Sequence, residues 1–592
     1  MTADAEIVIV GAGFGGIGVA IELRRAGITD FVILEKADEV GGTWRENTYP
    51  GAGCDVMSLM YSFSYAQNHR WSRLFARQPE ILDYLRRTVD RYDLRRHLRL
   101  RSEVTAMDFD DDADRWMVRT ADGREFRPRV VIMAPGPLHE PSVPDLPGRE
   151  SFRGRSFHSA RWDHDFEVAG KRIAVIGTGA SAVQFVPQIA KQAARVTVFQ
   201  RTPHWVLPKP DRRLSDPERG LFRTVPGAQR LSRWGVYWAY ESMIPGFLDP
   251  KRMGRMERVA RAHLRRQVPD PELRRLLTPD YRLGCKRILV SNNYYPALQR
   301  DDVELVTDSI DRITESGIVA GGVAREFDAI VYGTGFKISD RYADQHLVGA
   351  NGLTIQRAWR DGMEAFLGVA VHGFPNLFMV VGPNSGGGHQ SIVFMIEAQA
   401  RYIRQCVQLM RRTSATRMEV RRATQHEFNR RIQAKLARTV WNSGGCSSWY
   451  LDERGVNRAA WPGSSVSYWR ALRRLDLGHY DLTVAADREP AHEYSGPAVL
   501  DAPGFEVPVT VALSGHPDPI DGRYHWYGRV AADDGAELPD PGRGQVSLTL
   551  PGGTPAIGRL QERDPWGHLR IVGTGAPPFP SEAAAAGNPL WS

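Results

Sequence analysis

Two strand–glycine–helix signals, at Ile7–Arg25 and Lys171–Ala190, constrain this chain more than any other feature of it. Ile7-Val-Ile-Val10 runs into G-A-G-F-G-G, with Gly11, Gly13 and Gly16 at G-x-G-x-x-G spacing. Ile17, Ala20, Ile21 and Leu23 then recur near the 3.6-residue period of a helix. Lys171–Ile176 runs into G-T-G-A-S-A, with Gly177, Gly179 and Ala182 at the same places. The first glycine of such a turn permits its tightness, and the second lets backbone approach a pyrophosphate. The third position, small, lets helix and strand pack closely. The helix N-terminus offers the anion free N–H groups and a favourable dipole. Two such units predict an α/β chain with two Rossmann-like dinucleotide-binding domains.

Counting along the chain separates the two sites. Gly11 to Glu35 is 35 − 11 = 24 residues, and Gly177 to Arg201 is 201 − 177 = 24. A second strand, Phe31–Leu34, ends at Glu35, where an acid accepts hydrogen bonds from a ribose diol. The matched place in the second unit holds Arg201, followed by Thr202. A guanidinium there suits a 2′-phosphate through charge-assisted, bidentate hydrogen bonds. NADP, rather than NAD, is therefore expected at the second site.

At 592 residues the chain exceeds one ordinary core, and three or so domains are expected. The net charge of +8 is scattered, with one Arg-dense stretch at Lys251–Arg266 and no nucleic-acid recognition motif beside it. Cys54, Cys285, Cys406 and Cys446 lie far apart, which argues against a zinc site or a disulfide framework and for a reducing compartment. The N-terminus enters a strand within a few residues, leaving no room for a signal peptide. No apolar run approaches the roughly 20 residues of a membrane span. A cytoplasmic location is the expectation, and oligomeric state stays open.

Between the two signals stands Phe152–Asp163, F-R-G-R-S-F-H-S-A-R-W-D. Taken singly, Phe152, Phe157 and Trp162 read as core aromatics and His158 as a satisfied buried histidine. Jointly, Phe152, Gly154, His158, Trp162 and Asp163 match F-x-G-x-x-x-H-x-x-x-W-[P/D]. In this the chain resembles the flavin-dependent Baeyer–Villiger monooxygenases, over about Glu6 to Arg474. The Trp162-Asp163 ending separates it from relatives that oxygenate nitrogen and sulfur, whose variant ends in Tyr.

The resemblance implies FAD at the first site and NADPH as reductant. G-G-T-W at Gly41–Trp44 would lie along the flavin, with Thr43, Trp44, Asp55 and Tyr61 at flavin-contacting positions. Val104, Thr178, Ala180, Ser181, Gln184 and Ile392 join the implied cofactor-binding set. Lys286 would stand near the 2′-phosphate, Arg287 beside flavin and nicotinamide, and Trp449 by the nicotinamide. The implied reaction takes a ketone and dioxygen to an ester or lactone through a peroxyflavin, with Arg287 as the catalytic cation and Asp55 holding it. The fingerprint would serve as the linker on which the cofactors shift. One departure stands out: Gly53 occupies a place where the family carries Arg. Three rivals remain: an N- or S-oxygenase, a disulfide reductase, which needs a cysteine pair by the flavin, and a non-enzymatic flavin-binding interaction protein.

The expected domains are 1–148 (first part of the FAD domain) and 149–379 (NADP domain with a helical insertion about 205–283). A return segment at 380–488, a small all-β domain at 495–580 and a flexible tail at 581–592 follow. Within the insertion, arginines opposite Met253, Met256, Val259, Ala260 and Leu264 read as a solvated face. A substrate cap or a membrane-surface patch is the alternative there. Trp234, Tyr237, Trp238 and Tyr240 line a pocket or belong to the core. His389 reads as a loop polar residue, since no partner ligands are spaced around it. The β-domain resembles a domain of unknown function appended to some such monooxygenases.

Overall fold

The computed structural model of the protein describes residues 5–338, 345–484, 492–502, 505–517, 523–532, 538, 545–563 and 568–579. The expected tail at 581–592 lies outside the described residues. The chain forms two compact units, one of Met1–Gln408 with Thr416–Thr483, the other of Leu409–Ala415 with Val484–Ser592.

In the first unit, Ile7–Val10 is the central strand of a five-stranded sheet ordered Leu377–Met379, Val130–Met133, Ile7–Val10, Phe31–Leu34, Leu98–Arg99. Every pairing is parallel. These strands read as unbroken Val/Ile/Leu runs because helices and loops cover both faces of a parallel sheet. Chain order reverses beside Ile7–Val10, so the Gly11 turn opens at a topological switch point, the crevice where such sheets bind ligands. A second parallel sheet repeats the arrangement around Arg172–Ile176, ordered Val303–Val306, Arg195–Phe199, Arg172–Ile176, Ala329–Tyr332, Arg155–His158. The helical insertion follows as Asp216–Thr224, Ala228–Glu241, Ile244–Leu248, Gly254–Gln267 and Pro271–Leu276.

The chain crosses between the two sheets twice, and the crossings touch. Ser142 N donates to Gly335 O at 2.9 Å and Lys337 N to Glu140 O at 3.0 Å, with Pro141 and Phe336 bridged antiparallel. The Thr334 hydroxyl adds a bond to Ser142 O at 2.5 Å.

Three expectations need correction. The return, placed at residue 380, comes earlier: His346–Val348 pairs with Val104–Asp110 in a separate four-stranded sheet, and Leu377–Met379 is an outer strand of the first sheet. Strands of three residues leave too little pattern for periodicity to register. The fingerprint is more than a linker, since Arg155–His158 is the edge strand of the second sheet and Ser159–Arg161 a 3₁₀ turn behind it. Cys285 and Cys446 form a disulfide, their Cα atoms 6.1 Å apart across 161 residues of sequence. The fold closes a gap that spacing concealed, which removes the argument from cysteine spacing to a reducing compartment. A bond closing so long a loop constrains the unfolded chain, so Cys446→Ser is expected to lower stability by roughly 2–4 kcal/mol. Thermal melting without reductant checks this, and an unchanged Tm would dismiss the bond as a stabiliser.

In the second unit, the expected all-β domain is a closed antiparallel barrel of six strands, ordered Tyr494–Ala502, Phe505–Pro517, Tyr524–Ala532, Leu569–Thr574, Ala556–Arg563, Val546–Thr549. Closure removes the exposed strand edges that invite aggregation. Leu500, Val509, Leu513, Trp526, Leu548 and Ile571 fill its core.

Candidate active site

A cavity of about 1480 Å³ is lined by both glycine turns. It exceeds the roughly 300–1,000 Å³ that suits one drug-sized ligand, which is what a site for two dinucleotides requires. Gly11, Gly13 and Glu35 line it from the first turn and strand, with Thr43, Trp44, Asp55 and Tyr61 behind them, and Val104 and Ile392 further along. From the second sheet's side come Gly177, Thr178, Gly179, Ala180, Ser181 and Gln184, then Arg201 and Thr202. Lys286, Arg287 and Trp449 complete the wall.

Two of the turn positions act by packing instead. A Cβ on Gly16 would lie 1.9 Å from Gly11 O, so helix and strand meet only over glycine. Ala182 is wholly buried beside Gly333. The leading glycines adopt positive φ (+101° at Gly11, +103° at Gly177) against backbone that excludes a Cβ, at 2.5 Å from Ala134 O and 2.6 Å from Gly333 O. Glu35 accepts from Ala12 N at 2.8 Å and Ala37 N at 3.0 Å, so its carboxylate is held across the first turn.

None of Phe152, Gly154, His158, Trp162 and Asp163 lines the cavity. Trp162 stacks edge-on with Phe157 at 5.2 Å and meets Phe185 of the second sheet's glycine-turn helix at 5.5 Å. Asp163 pairs with Arg155 at 3.6 Å. A Cβ on Gly154 would stand 2.5 Å from the Phe152 ring and 2.7 Å from Asp328 O. Burial lowers the His158 pKa to about 4, and its Nδ1 accepts from Ala160 N at 3.1 Å. The fingerprint side chains therefore build the second sheet's edge and its junction with the cavity wall.

At the Arg201 end the field is strongly positive. Burial first, and Arg201 next, push the Lys286 ammonium below the ordinary lysine range. Burial and Lys286 together lower the His204 pKa to about 4, so a neutral imidazole faces the same end. Two cations that raise each other's energy are stabilised by a dianion placed between them.

Arg287 is exposed to the cavity and, among the described residues, makes no hydrogen bond or ion pair. Its charge is felt by Cys54, Tyr61, Tyr240 and Tyr450, which surround it. The disulfide at Cys285 anchors the chain two residues before it to the loop carrying Trp449. Asp55, expected to hold this arginine, is engaged elsewhere: its Oδ1 accepts from Lys209 Nζ at 3.0 Å and Gln184 Nε2 at 3.1 Å. Lys209 also reaches Cys54 O at 3.2 Å and lies over the Phe75 ring. No local pattern singles it out, since 154 residues separate it from Asp55.

The Gly53 departure has a physical account as well. Gly53 N donates to Gln184 Oε1 and Gln184 Nε2 donates to Gly53 O, both at 3.1 Å. A Cβ at Gly53 would meet Ala76 O at 3.2 Å and Arg77 Cδ at 3.3 Å. The backbone here is clamped by the glycine-turn helix of the second sheet, and Arg77 fills the flank that a larger residue would occupy.

Cys54 is the one thiol lining the cavity among the described residues; burial pushes its pKa up to about 12, and its sulfur is free. Neither Cys285 nor Cys446 lines the cavity. A thiol so protonated, without a partner, does not serve disulfide exchange.

Comparison with known proteins agrees with this geometry. Residues 8–216 match the family model described as pyridine nucleotide-disulphide oxidoreductase, and residues 491–581 a domain of unknown function (DUF4873). A Baeyer-Villiger monooxygenase of Streptomyces coelicolor is 47% identical over 484 residues, covering 81% of this chain and 92% of that protein. Among solved structures, oxidized steroid monooxygenase bound to NADP superposes with a TM-score of 0.73 at 30% identity, over 81% of this chain and all of that one. OTEMO in complex with FAD and NADP gives 0.73 at 27% identity, over 81% of this chain and 99% of that one. Two dinucleotide turns facing one cavity, an unpaired arginine on its wall and a relative 47% identical over 81% of the chain lead to one conclusion: the chain belongs to the Baeyer–Villiger monooxygenases, enzymes that use a flavin.

Proposed function

We propose that the protein takes a ketone, dioxygen, NADPH and a proton to an ester or lactone, NADP⁺ and water, one oxygen atom entering beside the carbonyl. The observation that carries this reading is Arg287, a cation without a partner, facing a cavity shared by both nucleotide turns. FAD supplies the activation of dioxygen and NADPH the two electrons. The glycine turns fit these groups, because their backbone approach excludes any side chain. FAD is held by Gly11, Gly13 and Glu35 with Thr43, Trp44, Tyr61, Val104 and Ile392. NADP is held by Gly177, Thr178, Gly179, Ala180 and Ser181, with Arg201, Thr202 and Lys286 on its 2′-phosphate and Trp449 on the nicotinamide side. Residues up to about 148 and from about 346 to 484 form the flavin side, and those between them the NADP side.

A guanidinium stays protonated at any working pH. Arg287 can therefore donate to the oxygen that gains negative charge at the carbonyl, without itself moving a proton. Asp55, neutralised by Lys209 and oriented by Gln184, sets the field and the loop geometry next to that donor. Trp44, Tyr61 and Tyr450 wall the site with aromatic surface that limits water.

The test incubates the FAD-loaded protein with NADPH and air against a panel of linear and cyclic ketones and, separately, sulfides. Ester or lactone formed in step with NADPH oxidation supports the proposal. Sulfoxide from sulfides with ketones untouched would transfer the protein to the heteroatom oxygenases, and peroxide alone would remove oxygen transfer altogether.

A further inference from the structure

The helical insertion presents a face that the catalytic reading does not use. Helix Ala228–Glu241 is anchored by one side. Arg233 is buried and donates to Leu59 O and, at 3.0 Å, to Ser62 O. Tyr237 Oη shares a hydrogen bond with Ser465 Oγ at 2.9 Å, and Tyr240 Oη accepts from Met57 N at 3.0 Å. The Glu241 carboxylate lies 3.3 Å from His389 Nε2 and accepts from Ser465 N at 3.0 Å. Positions 233, 237, 240 and 241 thus form an inner stripe fixed to the loops around the cavity.

The neighbouring stripe of the same helix is apolar and open. Leu231, Trp234 and Trp238 follow one another at i, i+3 and i+7 and are 70%, 61% and 48% exposed. The two indoles meet edge to face at 5.9 Å. The helix before it, Asp216–Thr224, adds Leu221 at 47% exposure, and Val225 follows at 46%. Single exposed apolar residues are ordinary, but four on two consecutive helices and a fifth on the turn between them mark a surface that something covers.

Charge decides what covers it. Arg223 and Arg230 are exposed among these residues and have no ion pair among the described residues. Over the same stretch the acids are Asp216 and Glu218, paired with Arg219 and Arg212, and Glu241, which is buried. A second copy docking through the same face would set arginine against arginine over the indoles. A bilayer with anionic headgroups meets both demands: arginines stay among phosphates, and indoles and leucines enter the boundary of headgroup and acyl chain, where amphipathic aromatic rings settle. A helix of 14 residues fixed along one side by buried polar contacts lies in the plane of such an interface. Among the described residues, no helix is long and apolar enough to cross a membrane.

We propose that the face formed by Leu221, Val225, Leu231, Trp234 and Trp238, rimmed by Arg223 and Arg230, docks the protein on an anionic lipid surface. The test is co-sedimentation of the full FAD-loaded chain with large vesicles of phosphatidylcholine alone or mixed with phosphatidylglycerol. Binding rises with phosphatidylglycerol and falls with added salt. The Trp234→Ala/Trp238→Ala variant lowers the partition coefficient by about tenfold or more. Arg223→Glu/Arg230→Glu removes the dependence on phosphatidylglycerol. Both variants keep the parent's melting temperature and its rate of flavin reduction by NADPH, since neither alteration touches the cavity. Absence of binding to phosphatidylglycerol vesicles at low salt overturns the proposal, as does equal binding by the tryptophan variant. If the parent binds no vesicles but is a dimer that this variant turns into monomer, the face belongs to a second copy and the lipid assignment falls.

Discussion

Arg287→Ala is expected to bind FAD, to be reduced by NADPH at close to the parent rate, and to form almost no ester. The arginine has no partner among the described residues, so its removal leaves no orphaned acid behind and little structural reason for misfolding. What disappears is a cationic donor on the wall of a cavity partly lined by aromatic rings. Losing one preorganised donor of that kind typically costs about 3–4 kcal/mol, or roughly 10²–10³ in kcat. NADPH consumption should continue with oxygen ending as hydrogen peroxide, so the ratio of ester to NADPH oxidised is the decisive readout. Arg287→Lys keeps the charge but not the planar fork, and should recover part of that ratio. Undiminished coupling in Arg287→Ala would take the residue out of the chemistry.

The second large effect concerns the choice of nicotinamide cofactor. Removing either cation at the second site should raise KM for NADPH while leaving kcat/KM for NADH nearly unchanged, because NADH has no 2′-phosphate to lose. A charge-assisted hydrogen bond contributes about 1.5–3 kcal/mol, so Arg201→Ala should raise KM for NADPH by roughly 10–10²-fold. Lys286→Ala should act in the same direction, and the double variant should show less than the sum, because each cation also destabilises the other. The pH dependence has a definite sign. Burial and Arg201 depress the Lys286 pKa in the free protein, whereas a bound phosphate dianion favours the ammonium. Affinity for NADP⁺ is therefore full near neutral pH, where the phosphate is a dianion, and falls as pH rises through the depressed lysine pKa, below the range where free lysines lose their proton. Titration calorimetry across that range reads it, and a flat profile in the parent, or a fall that persists in Lys286→Ala, would contradict it.

What the sequence revealed about this fold followed from how local each demand was. Gly11, Gly16 and Gly177 are legible because each solves a backbone problem within a few residues of itself. The contrast between Glu35 and Arg201 is legible because the two units superpose by counting. The contacts that organise the cavity between them are of another kind. Lys209 meets Asp55 across 154 residues, Gln184 clasps Gly53 across 131, and the disulfide spans 161. Such contacts exist only after both sheets have formed, and neither periodicity nor spacing carries a trace of them. The fingerprint is an intermediate case. Its residues were recognisable as a set, yet their role as an edge strand with packed aromatics needed the pairing of Arg155–His158 with Ala329–Tyr332. Trp234 and Trp238 show the converse error. Their aromatic character suggested a pocket or a core, and only solvent exposure separates those readings from an outward face.

The doubled crossing between the sheets has a mechanical consequence. A single covalent tether behaves like a swivel, free to turn about several bonds. Here Glu140–Ser142 and Gly335–Lys337 are stitched into a two-ply strap by backbone hydrogen bonds. A strap flexes readily out of its own plane and resists both twisting and in-plane shear, because those distort the bonds that join its plies. The strap by itself therefore favours rocking of one nucleotide lobe against the other about a single axis, while Gln184 on Gly53 and Lys209 on Asp55 join the same lobes at the cavity.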